Sequence, residues 1–294
     1  VIPQARLVDS SAVGGRHGGV AEVDAVIAYP DGPADMGYRF SFAREGQRFE
    51  LVEETIEQEV VPAGARDAVL YYRYYAGQAV VRPVPSLFDR VLDPQARLDP
   101  TALVVPNGRP SLPLECEESG AGQSVLSRLR DAHRYPEITY LGSQFDRVRI
   151  YGEWHLGRGT EPRRPQLTDL SSAFLNQNAD NLALVVNNLQ NRAGVEELLN
   201  EHLRHFYPRA RKLTVRIEGN TVLLLLHEAG LREPIPATRL SDGTLRYLCL
   251  LSVLLHPEPP PLVCIEEPEL GLHPDIIPTL AELMVDASQR MQLI

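Results

Sequence analysis

The sequence predicts an α/β protein, and three observations predict it. Residues 20–82 alternate apolar and polar side chains, residues 120–210 switch in part to helical spacing, and a short unbroken apolar run, Leu262-Val263-Cys264-Ile265, follows an almost wholly apolar helical stretch. Alternation with period two marks half-buried strands, whereas an apolar run without alternation suits a strand covered on both faces of a parallel sheet. A hydrophobic content of 44% over 294 residues can bury a substantial core, as one large or two small domains.

Near the N-terminus, Gly14-Gly15-Arg16-His17-Gly18-Gly19 is glycine-rich but holds no lysine and follows no clear strand, so it reads as a loop. From Val20 onward Ala21, Val23, Ala25, Ile27 and Tyr29 share one face, then Tyr38, Phe40 and Phe42, then Phe49 and Leu51. Turns fall at Asp31-Gly32-Pro33 and Glu45-Gly46-Gln47, and Val69–Tyr75 and Gln78–Arg82 extend the series into an antiparallel meander. Pro83 to Pro113 is punctuated by proline and reads as a connector. Val125, Leu126 and Leu129, then Ile138, Leu141 and Phe145 beyond Pro136, give two short amphipathic helical segments. A core strand, Val148–Tyr151, comes next.

The loop from Gly152 to Leu170 carries the chain's single tryptophan, Trp154, and the pair Arg163-Arg164, which reads more simply as solvated than as a phosphate or subunit contact. Two helices, Leu182–Leu189 and Val195–His205, suit a lid over the core sheet. The basic stretch His202–Lys212 reads as a helix C-terminus decorated with cations rather than a nucleic-acid patch. Leu213–Ile217 and Val222–Leu226 form a hairpin across Gly219-Asn220, and Leu231–Arg239 leads onward.

The richest stretch runs from Leu240 to Pro274. Ser241 and Gly243 make a polar turn whose serine can cap a helix from about Thr244 to His256, leaving free amides at a helix N-terminus suited to an anion. Leu245, Leu248, Leu250, Leu251, Val253, Leu254 and Leu255 surround most of that helix, which must therefore be buried. Pro257, Pro259, Pro260 and Pro261 stiffen the link to the apolar strand. Glu266 and Glu267 then sit at its carboxyl end, where ligands bind in open α/β sheets. Alone, such a pair would be two solvated acids; beside an anion-binding turn it suits nucleotide chemistry.

Leu240-Ser241-Asp242-Gly243-Thr244 resembles the LSGGQ signature of ABC-type ATPase heads of the RecF and SMC kind, and of the bacterial AAA-type ATPases that share it. Ile265-Glu266-Glu267-Pro268 resembles the Walker B end, and Leu270-Gly271-Leu272-His273-Pro274 the D-loop that follows it. The resemblance covers about 55 residues, from Leu240 to the last residue. It implies a P-loop NTPase fold of the ABC/SMC-head type, with an antiparallel β lobe (about residues 20–82), a connector and helical insertion or lid (83–210) and a signature and Walker B core (211–294). It further implies ATP and Mg²⁺ as ligands, and a homodimer formed through the nucleotide. Ser241, Asp242 and Gly243 would contact the γ-phosphate held by the opposite subunit. Glu266 would support Mg²⁺, Glu267 would position the attacking water, and Gly271 and His273 would belong to the D-loop. The dimer would drive a DNA-related or defence process.

Three substitutions depart from the family pattern: Asp242 for a glycine, Thr244 for glutamine and Glu266 for aspartate. A larger departure is the lack of any G-x-x-x-x-G-K-[ST] phosphate loop, since the sole lysine, Lys212, follows Arg211. The expectation is a head truncated at both ends, with the phosphate loop upstream and the switch histidine beyond Ile294.

A net charge of −10 argues against a basic nucleic-acid coat, so any DNA contact would be local. The longest apolar run, Leu248–Leu255, is too short to span a bilayer and no secretory pattern opens the chain, which points away from the membrane and to the cytoplasm. Cys116, Cys249 and Cys264 have no ligand-like spacing and read as buried thiols. Two other functions compete: a nucleotide-independent module docking an effector such as a nuclease, and a metal-dependent nuclease using Glu266, Glu267 and Glu269, which Pro268 disfavours. His273 reads equally as a D-loop contact or a helix cap.

Overall fold

A computed structural model describes residues 4–8, 20–30, 32–45, 48–61, 63, 68–75, 77–81, 112–113 and 123–294. The glycine-rich segment 14–19, most of the connector 83–113, and Cys116 lie outside the described residues. The chain divides into two compact units, Val1–Arg147 and Val148–Ile294.

In the first unit, strands β1 (Gln4–Val8), β2 (Val20–Ile27), β3 (Met36–Glu45), β4 (Arg48–Gln58), β5 (Leu70–Tyr75), β6 (Gln78–Val81) and β7 (Leu112–Pro113) form a seven-stranded sheet in sequence order. Every neighbouring pair is antiparallel, so the meander expected from the alternation is present. The register aligns a buried row across five strands: Ala25, Tyr38, Ile56, Tyr72 and Val81 face one another in turn. Onto this face pack a 3-10 turn, Val125–Ser127, and helix α1 (Pro136–Asp146), through Val125, Leu126, Ile138 and Leu141. Glu54 fastens the turn. Its fully buried carboxylate accepts hydrogen bonds from Tyr38 Oη (2.9 Å), Ser124 Oγ (2.5 Å) and the Val125 amide (2.9 Å).

The second unit contains β8 (Arg149–Tyr151), β9 (Gln166–Leu167), α2 (Leu182–Gln190), α3 (Val195–Phe206), β10 (Ala210–Glu218), β11 (Thr221–Glu228), β12 (Ile235–Pro236), α4 (Asp242–Leu254), β13 (Leu262–Ile265), α5 (Ile277–Ser288) and β14 (Gln292–Leu293). Strands β8 and β14 flank β13, all parallel. A second, antiparallel sheet joins β10, β11 and β12, with β9 on β11. The β10–β11 hairpin turns on Gly219-Asn220, where Gly219 has φ +59°, a left-handed backbone that glycine adopts without a Cβ clash.

Helix α4 is buried from Thr244 to Leu254, as its apolar circumference requires. Its C-terminal carbonyls are capped by Arg290, whose guanidinium donates to Leu254 O and His256 O at 2.6 Å each. Three expectations change. The helices that read as a lid share one core with α4, through Leu182, Val186, Leu189, Leu199 and Leu203, because their apolar faces are too wide to leave as a loose cover. Strand β13 is not sealed on both faces: Val263 and Ile265 are buried, but Leu262 and Cys264 are half-exposed. The division at Arg147 falls inside the stretch 83–210, so α1 accompanies the β lobe while α2 and α3 accompany the parallel sheet.

Candidate active site

The site forms at the carboxyl edge of the parallel sheet. Strand β13 ends at Ile265, and the Glu266 amide still bonds Tyr151 O (2.9 Å), so Glu266 is held beside the end of β8. Its carboxylate lies over Gly152, with Oε2 3.4 Å from where a Cβ on that glycine would sit. Glu267 leaves the ladder with φ +45°, a left-handed conformation strained for a residue with a side chain. The turn is closed by Leu270 N to Glu267 O and Leu272 N to Glu269 O, each 3.0 Å, and by Gly271 at φ +72°. Both Glu266 and Glu267 are exposed to solvent.

Helix α4 begins against this turn. Ser241 is its N-cap: Oγ accepts from the Thr244 amide at 3.0 Å and pairs with Thr244 Oγ1 at 2.8 Å. The serine hydroxyl is thus occupied as a cap, and the amides of Asp242 and Gly243 are the first-turn donors with no intrahelical partner. Gly243 is irreplaceable by geometry, because a Cβ there would lie 2.9 Å from Gly271 O. Signature-like and D-loop-like turns are therefore in contact within one chain.

The Asp242 carboxylate is paired with Arg163, and here the sequence reading of Arg163 as a solvated arginine is corrected. Arg163 is buried, and its guanidinium also donates to Leu156 O (2.6 Å), Leu240 O (2.5 Å) and Ala237 O (3.4 Å). Backbone carbonyls from two separate loops supply acceptors that no local pattern reveals. Arg164, by contrast, is exposed as expected.

A cleft of about 430 Å³ opens between the strand ends and α4, lined by Glu153, Arg246, Glu266, Glu267 and Leu270. Glu153 and Arg246 were not singled out by the sequence reading. A signal existed for each: Glu153 lies two residues past the end of β8, near where Glu266 leaves β13, and Arg246 is the lone cation of an apolar helix. Arg246 is 7% exposed, with its guanidinium 5.8 Å from the centroid of the buried Trp154 ring.

His273 stands apart from the cleft. Its Nδ1 accepts from the Asp275 amide at 3.3 Å and caps the 3-10 turn Pro274–Ile276. Glu269 is likewise not among the cleft residues. Among the described residues, no group of three or more His, Cys, Asp or Glu is placed to hold a metal ion. Glu266 and Glu267 would hold Mg²⁺ only with phosphate and water completing its shell.

No helix among the described residues is long and apolar enough to cross a membrane. Comparison with curated proteins gives no match. Residues 121–294, more than half of the chain and including all of the cleft, match the AAA domain family described as AbiEii toxin-like, type IV TA system. The chain belongs to this family of AAA domains, a family of P-loop ATPases.

Proposed function

We propose that the chain is part of an ABC/SMC-like head that binds Mg²⁺-ATP between two copies of itself and hydrolyses it. The observation that carries this reading is the meeting of two features at one sheet edge: paired, solvent-open carboxylates at the end of β13, and the free amides of the α4 N-terminus packed beside them through Gly243 and Gly271.

The residues present fit the group. Phosphoryl transfer needs chiefly positioning and charge stabilisation. Glu267 accepts a hydrogen bond from the attacking water and directs its lone pair at the terminal phosphorus. Glu266, held by the β8 side of the edge, would be the residue that holds the cation. Magnesium, when bound, supplies charge neutralisation for the phosphates. The Asp242 and Gly243 amides donate to the γ-phosphate of the nucleotide on the facing copy. A carboxylate at that helix end would repel a phosphate, and Arg163 neutralises Asp242. The glycine-lysine phosphate loop this requires is not in the sequence given. Dimerisation would power a DNA-related or defence process.

The test is Glu267→Gln in the full-length protein. ATP binding stays, hydrolysis falls by about 100-fold or more as expected for loss of a general base, and a nucleotide-held dimer accumulates in light scattering. Unchanged turnover refutes the assignment.

A further inference from the structure

Helix α4 carries one charged side chain beyond its first residue, Arg246, and that side chain is nine-tenths buried. A guanidinium keeps its charge, and a buried charge is costly unless it is paired. Yet among the described residues Arg246 has no hydrogen-bond or ion-pair partner. Its neighbours are the face of Trp154 and the turn at Gly271, where Nε comes within 3.9 Å of the position a Cβ would take. Its remaining side opens on the cleft, whose other charged groups, Glu153, Glu266 and Glu267, are all carboxylates.

Of these acids, Glu267 is the one Arg246 is built to meet. Glu266 is held toward β8 over Gly152. Glu267 begins the turn whose Gly271 rests against Arg246, and its left-handed backbone takes the chain out of the strand ladder at that point. A planar guanidinium fork binds a carboxylate through two parallel hydrogen bonds, which fixes orientation as well as distance.

Taking the ATPase function just proposed as given, we infer that Arg246 is a positioning residue for Glu267: in the nucleotide-loaded site its guanidinium pairs with the Glu267 carboxylate and holds that carboxylate toward the attacking water. The pair is open in the present structure and closes on loading. Arg246 sits one turn beyond Gly243, so the helix that presents amides to phosphate also carries the group that aims the acid.

The experiment uses the full-length protein with Mg²⁺ and a non-hydrolysable ATP analogue, read by proton–nitrogen spectra of arginine Nε–H groups. A slowly exchanging Nε–H resonance is expected that is absent from Arg246→Lys, survives Glu153→Gln, and is lost in Glu267→Gln although the analogue still binds. In steady-state assays, Arg246→Gln lowers kcat by about 100-fold, the scale of a misplaced catalytic group, with KM little changed, and Arg246→Lys restores part of it. Persistence of the resonance in Glu267→Gln, its loss in Glu153→Gln instead, or an effect confined to KM overturns the inference. Failure of the wild type to bind the analogue overturns the ATPase reading and this inference together, and is recognised before any variant is compared.

Discussion

Replacing Arg163 by methionine removes the group that ties the loop at Leu156 to the turn at Leu240, and the size of the loss can be worked from its contacts. Two short bonds to buried carbonyls, 2.6 Å to Leu156 O and 2.5 Å to Leu240 O, come from a charged donor. The bond to Ala237 O, at 3.4 Å, adds little. The ion pair with Asp242 is discounted, because that carboxylate is 69% exposed and water can replace the guanidinium. Two buried carbonyls left without partners, each a loss of about 1–3 kcal/mol, give a destabilisation of roughly 2–6 kcal/mol. For a unit of this size, that is a fall in Tm of roughly 10 °C. Trp154 is the chain's single tryptophan and lies buried in this unit, so its fluorescence follows thermal unfolding of the second unit alone. Arg164→Ala, which removes an exposed side chain, should shift the midpoint by less than about 0.5 kcal/mol, and Asp242→Asn by no more than about 1 kcal/mol. If Arg163→Met melts within the spread of these two controls, the clasp does not hold the turn.

Other expectations concern the rest of the chain. Burial pushes the Glu54 carboxyl above its ordinary value of 4.5, outweighing the donors that bond it. Because the folded state then holds its proton more tightly, this group's contribution is full below the ordinary value and is lost as pH rises through the elevated one. The stability of the β lobe, followed by the circular dichroism of tyrosines, eight of eleven of which lie in the first unit, should fall with rising pH, and Glu54→Gln should flatten that slope. Glu267→Gly relieves the left-handed strain, so it should stabilise the second unit by about 1 kcal/mol while abolishing hydrolysis. A lowered Trp154 midpoint would show that no strain is stored there. Cys249 is fully buried in α4 with its thiol pushed up to about 12 by burial, so alkylation mapped by mass spectrometry should miss it until the protein is denatured.

Much of the architecture was legible in the residues. The period-two alternation of Val20–Val81 yields the meander, Gly219-Asn220 the hairpin, and the leucines of α4 its burial. These are decided by main-chain geometry and the apolar character of residues a few positions apart, which is information a short window contains. The carboxylates at the end of β13 were legible for the same reason, since they adjoin a strand whose end the prolines and acids mark.

Residue order alone thus sets where strands, helices and the candidate acids fall along the chain. Which charges are buried, and what they meet, follows from packing between distant segments. Arg163 and Arg164 are adjacent in sequence yet opposite in fate, because acceptors 74 to 79 residues away, from Ala237 to Asp242, gather around one and not the other. Arg246 faces the cleft because Gly243 and Gly271 let two backbones approach to a distance that no side chain would allow. Burial of a charge depends on partners brought from distant segments, and local periodicity carries no record of them.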